Sequence, residues 1–374
     1  CEHIVVTDAK AANTRALQAL NAGASGLCFS LEKEADVATL LQDIELPFIY
    51  SAFRFAQNDF SAAANIAAYI ASKGWDISTM DCFLETGYAA DLLPSGKMPV
   101  QTDIDRLPET LRINGGVLTV DTTPLLNAGA NTTYELACSL ALINENLQVL
   151  EEAQQMSLLK TLHIIMGTDT AFFEQIAKLR AFRKLLDLLC STYDIKPAVH
   201  LHLETGHTYR SPFDSYSNLL RDTIAGMAAV LGGCNSLYIH AFNETQSGAS
   251  DFSNRMSRNQ QLIFKEESYL DKSADPAAGS YYVETLTETF AEQAWQQFQG
   301  IEQAGGLIRS FAAGTIKQAV ENQAQQLVQE YREGKRVLIG VNKFVNANDA
   351  PNTGQPEALP TAGLQPLQLY REIL

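Results

Sequence analysis

The chain has 374 residues, of which 46% are hydrophobic, and a formal net charge of -16 at pH 7. A chain of this length can bury a large core, and its negative charge disfavours nucleic acids and anionic membranes as partners. The six cysteines form no Cys-x-x-Cys pair, as is typical of free thiols in a reducing compartment. We find neither a membrane-spanning apolar run nor a signal peptide, and therefore expect a cytoplasmic protein.

Short apolar or β-branched runs alternate with longer helical stretches along the first two thirds of the chain. The runs predict β-strands at 4–7, 26–31, 47–52, 81–85, 117–121, 162–167, 198–205 and 236–241. The stretches between them predict helices at 9–21, 34–42, 60–72, 131–154, 171–189 and 216–231. Residues 86–116 contain three prolines and are expected to be mostly loop with one short helix.

Eight strand-helix units in this order favour an α/β fold of the (β/α)8 TIM barrel type over residues 1–270. An open doubly wound sheet is the alternative, but no Gly-x-Gly-x-x-Gly follows any predicted strand. Residues 271–345 are predicted as a helical extension packed on the barrel, with the last helix at 306–332 and a strand-like run at 337–341. The proline-rich residues 346–374 are predicted as a linker whose apolar end docks elsewhere.

The seventh predicted strand carries ionisable side chains at alternate positions of an apolar run. Because side chains alternate between the faces of a strand, its two histidines and its glutamate share the side that faces the barrel lumen. The eighth strand presents its own inward residues by the same rule. The expected inward set is His200, His202, Glu204, Tyr238, His240 and Phe242.

A His-x-His pair with a carboxylate is also a pattern of metal sites. The fifth strand offers only Thr119 and Asp121 as further polar groups at matching height, so we favour a hydrogen-bonded polar plug across the lumen over metal ligation. His163 is interpreted as a core residue rather than a base. A metal-dependent TIM-barrel hydrolase that uses His200, His202 and His240 stays open as an alternative.

Much of the chain resembles the coenzyme-B12-dependent methylmalonyl-CoA mutase family. The resemblance implies a TIM barrel and an acyl-CoA isomerase that uses adenosylcobalamin. It rests on many short motifs in one order. They include Asn127-Ala128-Gly129-Ala130, Arg221, Gly232-Gly233, Arg255-Met256-Ser257-Arg258-Asn259, Asp275-Pro276, Gly279-Ser280-Tyr281-Tyr282-Val283-Glu284 and Gly340-Val341-Asn342-Lys343-Phe344.

The chain departs from the family where the catalytic members need a Tyr-His pair after the fifth strand. The aligned residues here are Thr123 and Pro124, and proline has no side-chain donor for a thioester carbonyl. The cobalamin motif Asp-x-His-x-x-Gly is also missing, since none of the six histidines follows an aspartate by two residues. We therefore expect no catalytic, cofactor-binding or metal-binding residues on this chain.

The shared motifs and the departures from the family are both expected of the small, non-catalytic subunit of a heteromeric methylmalonyl-CoA mutase. The resemblance then implies a large, catalytic subunit as partner, which binds the adenosylcobalamin, and a linker leading to a cobalamin-binding-type domain not included in this sequence. The isolated chain could form a homo-oligomer. An active mutase barrel that receives cobalamin from another chain is the alternative within the family.

Overall fold

The computed structural model describes residues 1–56, 59–346 and 362–373. Parallel strands alternate with helices, which confirms the predicted α/β class. Most predicted strands lie within one to three residues of the observed ones. The observed strands are β1 Glu2–Val6, β2 Gly26–Leu31, β3 Tyr50–Phe55, β4 Cys82–Glu85, β5 Val117–Asp121, β6 Thr161–Thr168, β7 Ala198–Thr205 and β8 Ser236–Tyr238.

Helices follow or connect these strands, and several begin at an aspartate or asparagine whose side chain accepts a hydrogen bond from the first turn. None of the helices in the described part of the chain is long and apolar enough to span a membrane. The helices are α1 Ala9–Asn21, α2 Val37–Leu40, α3 Phe60–Ser72, α4 Leu92–Ser95, α5 Gln101–Ile113, α6 Thr123–Asn127, α7 Thr132–Glu152, α8 Phe172–Thr192, α9 Ser215–Leu231, α10 Glu244–Ser247, α11 Asp251–Leu262, α12 Tyr281–Gln303, α13 Leu307–Ala312, α14 Thr315–Arg332 and α15 Leu369–Ile373.

The strands form two four-stranded parallel sheets, β1-β2-β3-β4 and β5-β6-β7-β8, which face each other like the halves of a barrel. Between β4 and β5 the Asn114 side-chain amide bonds the backbone N–H and carbonyl of Leu84, both at 3.0 Å. Between β8 and β1 the Cys1 nitrogen donates to the Leu237 carbonyl over 2.8 Å. These bonds connect the two sheets at both seams, while strand pairing across the seams is not seen among the described residues.

The two faces of each strand meet different surroundings. On β7, Leu201 and Leu203 point outward and belong to the main apolar core beneath α7, α8 and α12. His200, His202 and Glu204 occupy the alternate positions, where they pair in register with His163, Ile165 and Gly167 of β6. The outward apolar layer fixes the orientation of the strand, and therefore the polar side chains turn to the lumen.

The helices after the eighth strand are packed on the barrel. Ala294 and Phe298 of α12 share the main core with α7 and α8, and Arg180 of α8 donates to Glu284 of α12 over 2.7 Å. Domain boundaries at 270 and 345 stay predictions. Of the predicted linker, residues 347–361 and 374 lie outside the described residues, while Leu369 and Tyr370 of α15 are buried against α14 and its following turn.

Several local predictions were wrong. The region 86–116 contains α4 and the 13-residue helix α5, which tolerates Pro108 because buried Leu107 and Leu111 hold the helix against the core. The predicted helix 306–332 is interrupted between α13 and α14 at Gly314, where φ is +79°. The strand-like run 337–341 is a turn that forms one isolated bridge, between Ile339 and Lys343.

Candidate functional site

The lower part of the lumen, near the amino-terminal ends of the strands, holds an aromatic group that we call the lower lumen cluster: Tyr50, Phe83, His163, His200 and His202. The Phe83 ring of one sheet lies parallel to the His163 ring of the other, with 4.0 Å between ring centroids. The Tyr50 ring stacks on His202 at 5.4 Å, and its hydroxyl lies 3.2 Å from His163 Nε2. Side chains from the two sheets therefore meet across the barrel axis.

Two histidines of the lower lumen cluster are neutral. Burial lowers the pKa of His163 far below its usual value, and the neighbouring His200 and His202 lower it further. Burial also lowers the pKa of His200 to about 3, with His202 acting in the same direction. No carboxylate contacts either ring in the described part of the chain, so the charge of Glu204 offsets the loss of hydration at His163 only in part.

The upper part of the lumen, at the carboxyl ends of the strands, carries charges. We call this group the mouth network: Arg54, Glu85, Glu204, His240 and Glu244. Arg54 of β3 donates to Glu85 of β4 over 2.5 Å and, across the lumen, to Glu204 of β7. The guanidinium side chain is 25% exposed, whereas the two carboxylates are 6% and 8% exposed. The arginine therefore links the two sheets through buried carboxylates.

The protonation of the two carboxylates differs because their neighbours differ. Burial raises the pKa of Glu85 to about 7, although Arg54 opposes the shift. Burial acts on Glu204 in the same direction, but Arg54 and hydrogen bonds from His202 and His240 hold its pKa well below its usual value. Glu204 is thus the ionised centre of the mouth network at neutral pH.

His202 connects the two clusters. Its Nδ1 lies 2.7 Å from the Ser236 hydroxyl and its Nε2 3.3 Å from Glu204 Oε1. Burial works against the charged imidazolium, but hydrogen bonds with Cys28 and Glu204 raise the pKa of His202 to about 9. His202 is therefore charged where its lower neighbours are neutral.

At the rim of the mouth, His240 lies between two carboxylates. Its Nε2 is 3.5 Å from Glu204 Oε2, and its Nδ1 is 3.2 Å from Glu244 Oε2. The His207 ring lies beside it, with 4.4 Å between ring centroids. Arg210 lies behind Glu244 at 3.6 Å. Ionisable groups from the ends of β7 and β8 thus converge at one point.

Thr123 and Pro124 begin the short helix α6 directly after β5. The Thr123 hydroxyl donates to Asp121 Oδ1 over 2.7 Å, and the Thr123 backbone N–H donates to the same oxygen over 2.9 Å. The hydroxyl is therefore used in a local turn, and Pro124 offers no donor.

The structure brings most of the predicted inward residues together, with one exception. Tyr238 packs against His240, with 4.5 Å between ring centroids, and against His3. Phe242, expected in the lumen, instead stacks on Tyr216 at the start of α9 at 5.5 Å. The strand ends at Tyr238, three residues earlier than predicted, and the alternation of faces therefore does not extend to Phe242.

Sequence reasoning overlooked four lumen residues from the first sheet, namely Tyr50, Arg54, Phe83 and Glu85. The same alternation finds them, since Tyr50 and Arg54 share one face of β3, and Phe83 and Glu85 share one face of β4. Arg54 is also a lone charge within an otherwise apolar strand. A charged residue in such a run is a signal of a buried ion pair.

The metal-ligand grouping also differs from the predicted one. In the described part of the chain, the side chains that converge with metal-ligand spacing are His207, His240 and Glu244. His200 and His202 instead share the Ser236 hydroxyl, at 2.9 and 2.7 Å. The grouping of His200, His202 and His240 behind the hydrolase alternative is therefore not the one observed.

Parallel strands, enclosing helices and polar side chains at the carboxyl ends of the strands define an α/β protein of the TIM-barrel class. Sequence comparison then identifies the family, because the methylmalonyl-CoA mutase family profile matches residues 94–369. The chain belongs to the methylmalonyl-CoA mutase family, in agreement with the resemblance found in its motifs.

Individual relatives differ in how much of the chain they match. The methylmalonyl-CoA mutase small subunit of Porphyromonas gingivalis is 33% identical over 92% of this chain and 59% of its own length. The methylmalonyl-CoA mutase of Escherichia coli is 35% identical over 58% of this chain and 31% of its own length. The methylmalonyl-CoA mutase large subunit of Streptomyces virginiae is 35% identical over 58% of this chain and 30% of its own length. The chain thus spans about three fifths of the small-subunit relative.

Proposed function

We propose that this chain is the barrel part of the small subunit of a heteromeric, adenosylcobalamin-dependent methylmalonyl-CoA mutase, and that it has no turnover of its own. The match to a small subunit over 92% of the chain supports this assignment. A relative named as a large subunit supports a heteromeric partner. The six free thiols support a cytoplasmic location.

The contacts across the barrel axis carry this proposal. The resemblance implies that in catalytic members the pantetheine arm of the acyl-CoA passes along this axis. Here Tyr50 and Phe83 of one sheet contact His163, His200 and His202 of the other. A pantetheine arm would have to displace these packed rings, with a large loss of packing energy. The chain then contributes an interface and stability rather than an active site.

The residues at the mouth do not fit the cofactor and substrate of the family. The position of the catalytic tyrosine is Thr123, whose hydroxyl is held by Asp121. The position of the catalytic histidine is Pro124, which cannot donate to a thioester carbonyl. We therefore place adenosylcobalamin on the large subunit.

Activity measurements test the proposal directly. The full-length small subunit is purified with and without the large subunit, and mutase turnover is measured with adenosylcobalamin and methylmalonyl-CoA. We expect turnover only in the complex, and co-purification of the two subunits. Turnover by the small subunit alone contradicts the proposal. Light scattering on the isolated chain shows whether it forms a homo-oligomer.

A gain-of-function variant tests the argument from the filled axis. Thr123→Tyr combined with Pro124→His restores the missing pair, while the lower lumen cluster stays in place. We expect no acyl-CoA binding by calorimetry, because the axis is still occupied. Binding by this double variant would show that only the mouth residues had been lost, and would favour the active-barrel alternative. Phe83→Ala added to the pair then measures the contribution of the filled axis.

A further inference from the structure

We propose that His207, His240 and Glu244 form a binding site for one divalent transition-metal ion, of which Zn²⁺ is the natural representative. The site lies at the mouth of the barrel. This inference is independent of the proposed mutase role, since neither requires the other.

The first observation is the convergence of the three side chains. Each offers one ligand atom, and the three atoms lie within 4.8 Å of one another. His207 follows β7 by two residues, His240 follows β8 by two residues, and Glu244 begins α10. Ligands at the carboxyl ends of neighbouring barrel strands meet at one height, because parallel strands end at the same rim.

The second observation is the spacing of the ligand atoms. His240 Nδ1 lies 3.2 Å from Glu244 Oε2. Metal-ligand bonds of about 2.0–2.2 Å in a tetrahedral zinc site place neighbouring ligand atoms roughly 3.4 Å apart. An ion therefore fits between these two atoms with small side-chain rotations. The adjacent His207 ring, inclined by 63° to the His240 ring, supplies the third donor.

The third observation is the support behind the ligands. The second nitrogen of His240 faces Glu204 Oε2 at 3.5 Å, and a carboxylate in this position orients a metal-binding imidazole. Glu204 lies on the rigid strand β7 and is itself held by Arg54 of β3. The backbone N–H of His207 donates to Asn127 Oδ1 over 2.9 Å, which fixes the loop that carries His207.

The local charge also favours a cation. Five carboxyl groups around the mouth face three cationic groups; they are Glu85, Asp121, Glu204, Asp222 and Glu244 against Arg54, Arg210 and the charged His202. Arg210 is the guanidinium nearest to Glu244, at 3.6 Å, but it is also bonded to both oxygens of Asp222 at 3.0 Å. Asp222 therefore balances much of its charge, and Glu244 is only in part neutralised by Arg210.

The ligand atoms indicate which kind of ion binds, and the exposure of Glu244 indicates how the ion reaches the site. Two imidazoles and one carboxylate suit Zn²⁺ or Co²⁺ better than Ca²⁺ or Mg²⁺, which prefer oxygen ligands. The Glu244 side chain is 38% exposed, and an ion therefore reaches the site from solvent. Three protein ligands leave a fourth tetrahedral position for water.

Metal titration of the intact, tag-free chain tests the site. Isothermal titration with Zn²⁺ and visible absorption with Co²⁺ are the two readouts, and the Co²⁺ spectrum reports tetrahedral geometry. We expect one ion per chain. Glu244→Gln and His207→Asn should each weaken binding at least about tenfold, and Glu204→Gln should weaken it about 10–100-fold through the orientation of His240.

Matched control variants keep the result interpretable. His200→Gln removes an imidazole outside the site, and Glu288→Gln removes an exposed carboxylate on α12; neither should change the affinity. Urea unfolding confirms that each variant is folded. The proposal is overturned by a chain that binds less than one equivalent of Zn²⁺ and Co²⁺, or by binding that Glu244→Gln and His207→Asn leave unchanged.

Discussion

The lower lumen cluster and the mouth network share strands β3, β4 and β7, but their buried polar groups differ in charge. In the lower lumen cluster, His163 and His200 are neutral and pack against Tyr50 and Phe83. In the mouth network, Arg54 and ionised Glu204 form a buried ion pair. One strand, β7, supplies His200 to the first and Glu204 to the second.

The comparison shows that neighbours, more than burial, decide the protonation of these side chains. His200 and His202 are two residues apart on one face of β7. The pKa of the first is lowered to about 3 by burial, while the pKa of the second is raised to about 9 because hydrogen bonds with Cys28 and Glu204 outweigh its burial. The Cys28 thiol and the Glu204 carboxylate beside His202 therefore account for the contrast.

The largest expected effect is on the lower lumen cluster. Phe83→Ala removes a buried ring that stacks on His163 and contacts Tyr50, and leaves a cavity. We expect the free energy of unfolding to fall by about 3–5 kcal/mol, as measured by urea denaturation. Phe48→Ala is the control, since Phe48 is 83% exposed and its loss should change stability by less than about 0.5 kcal/mol. Equal effects of the two variants would show that the axis is not tightly packed.

The next effect concerns the mouth network. Arg54→Met leaves buried Glu85 without its cation and removes one of the cations that face Glu204. We expect a loss of about 3 kcal/mol at pH 7, again from urea denaturation. Arg112→Met is the control, because Arg112 lies at the surface and its side chain makes an exposed hydrogen bond to Gln155. If Glu85→Gln and Glu204→Gln, added together, fail to recover part of the loss, the uncompensated carboxylates are not its cause.

Changes in pH act with opposite sign on two histidines of the lower lumen cluster, His200 and His202. His200, with its pKa lowered to about 3 by burial, binds a proton more readily when unfolded, and it therefore costs stability as the pH falls below about 6.5. His202, with its pKa raised to about 9 by Cys28 and Glu204 against the effect of burial, contributes stability below about pH 6.5 that is lost as the pH rises through about 9.

Two variants test these opposite slopes by urea denaturation between pH 5 and 9.5 at half-unit steps. His200→Gln should reduce the loss of stability on the acid side by about 1 kcal/mol, and His202→Gln should flatten the alkaline side. Glu204 stays ionised throughout this range, since its pKa is held low by Arg54 against burial. The prediction is wrong if both variants change the same side of the profile.

The smallest effect is that of one hydrogen bond in the lower lumen cluster. Tyr50→Phe keeps the stacked ring and removes the hydroxyl that lies 3.2 Å from His163 Nε2. We expect a loss of about 1 kcal/mol, far below that of Phe83→Ala. Tyr281→Phe, at a ring 92% exposed, should have no measurable effect. A loss as large as that of Phe83→Ala would mean that the polar contact, and not the packing, holds the axis.

Local sequence patterns predicted the elements better than their ends. The alternation on β7 and the Ala-rich runs of α1 and α3 are properties of a few neighbouring residues, and these elements lie where they were predicted. Helix α5 was missed because Pro108 indicates a break, while burial of Leu107 and Leu111 outweighs that local preference. Phe242 was misplaced because β8 ends at Tyr238, and the turn that follows places the Phe242 ring on Tyr216 of α9.

Local sequence patterns were enough to predict the order of eight strands, the parallel α/β class and the membership of the mutase family. Periodicity and motif order lie within short stretches, and they can be read without knowing any partner. Which groups meet in the lumen, in contrast, depends on the tertiary structure. Arg54 and Glu204 are 150 residues apart, and Tyr50 and His163 are 113 residues apart. Closing the two sheets on each other brings these groups together, and their contacts, rather than their positions in sequence, determine which histidines carry charge.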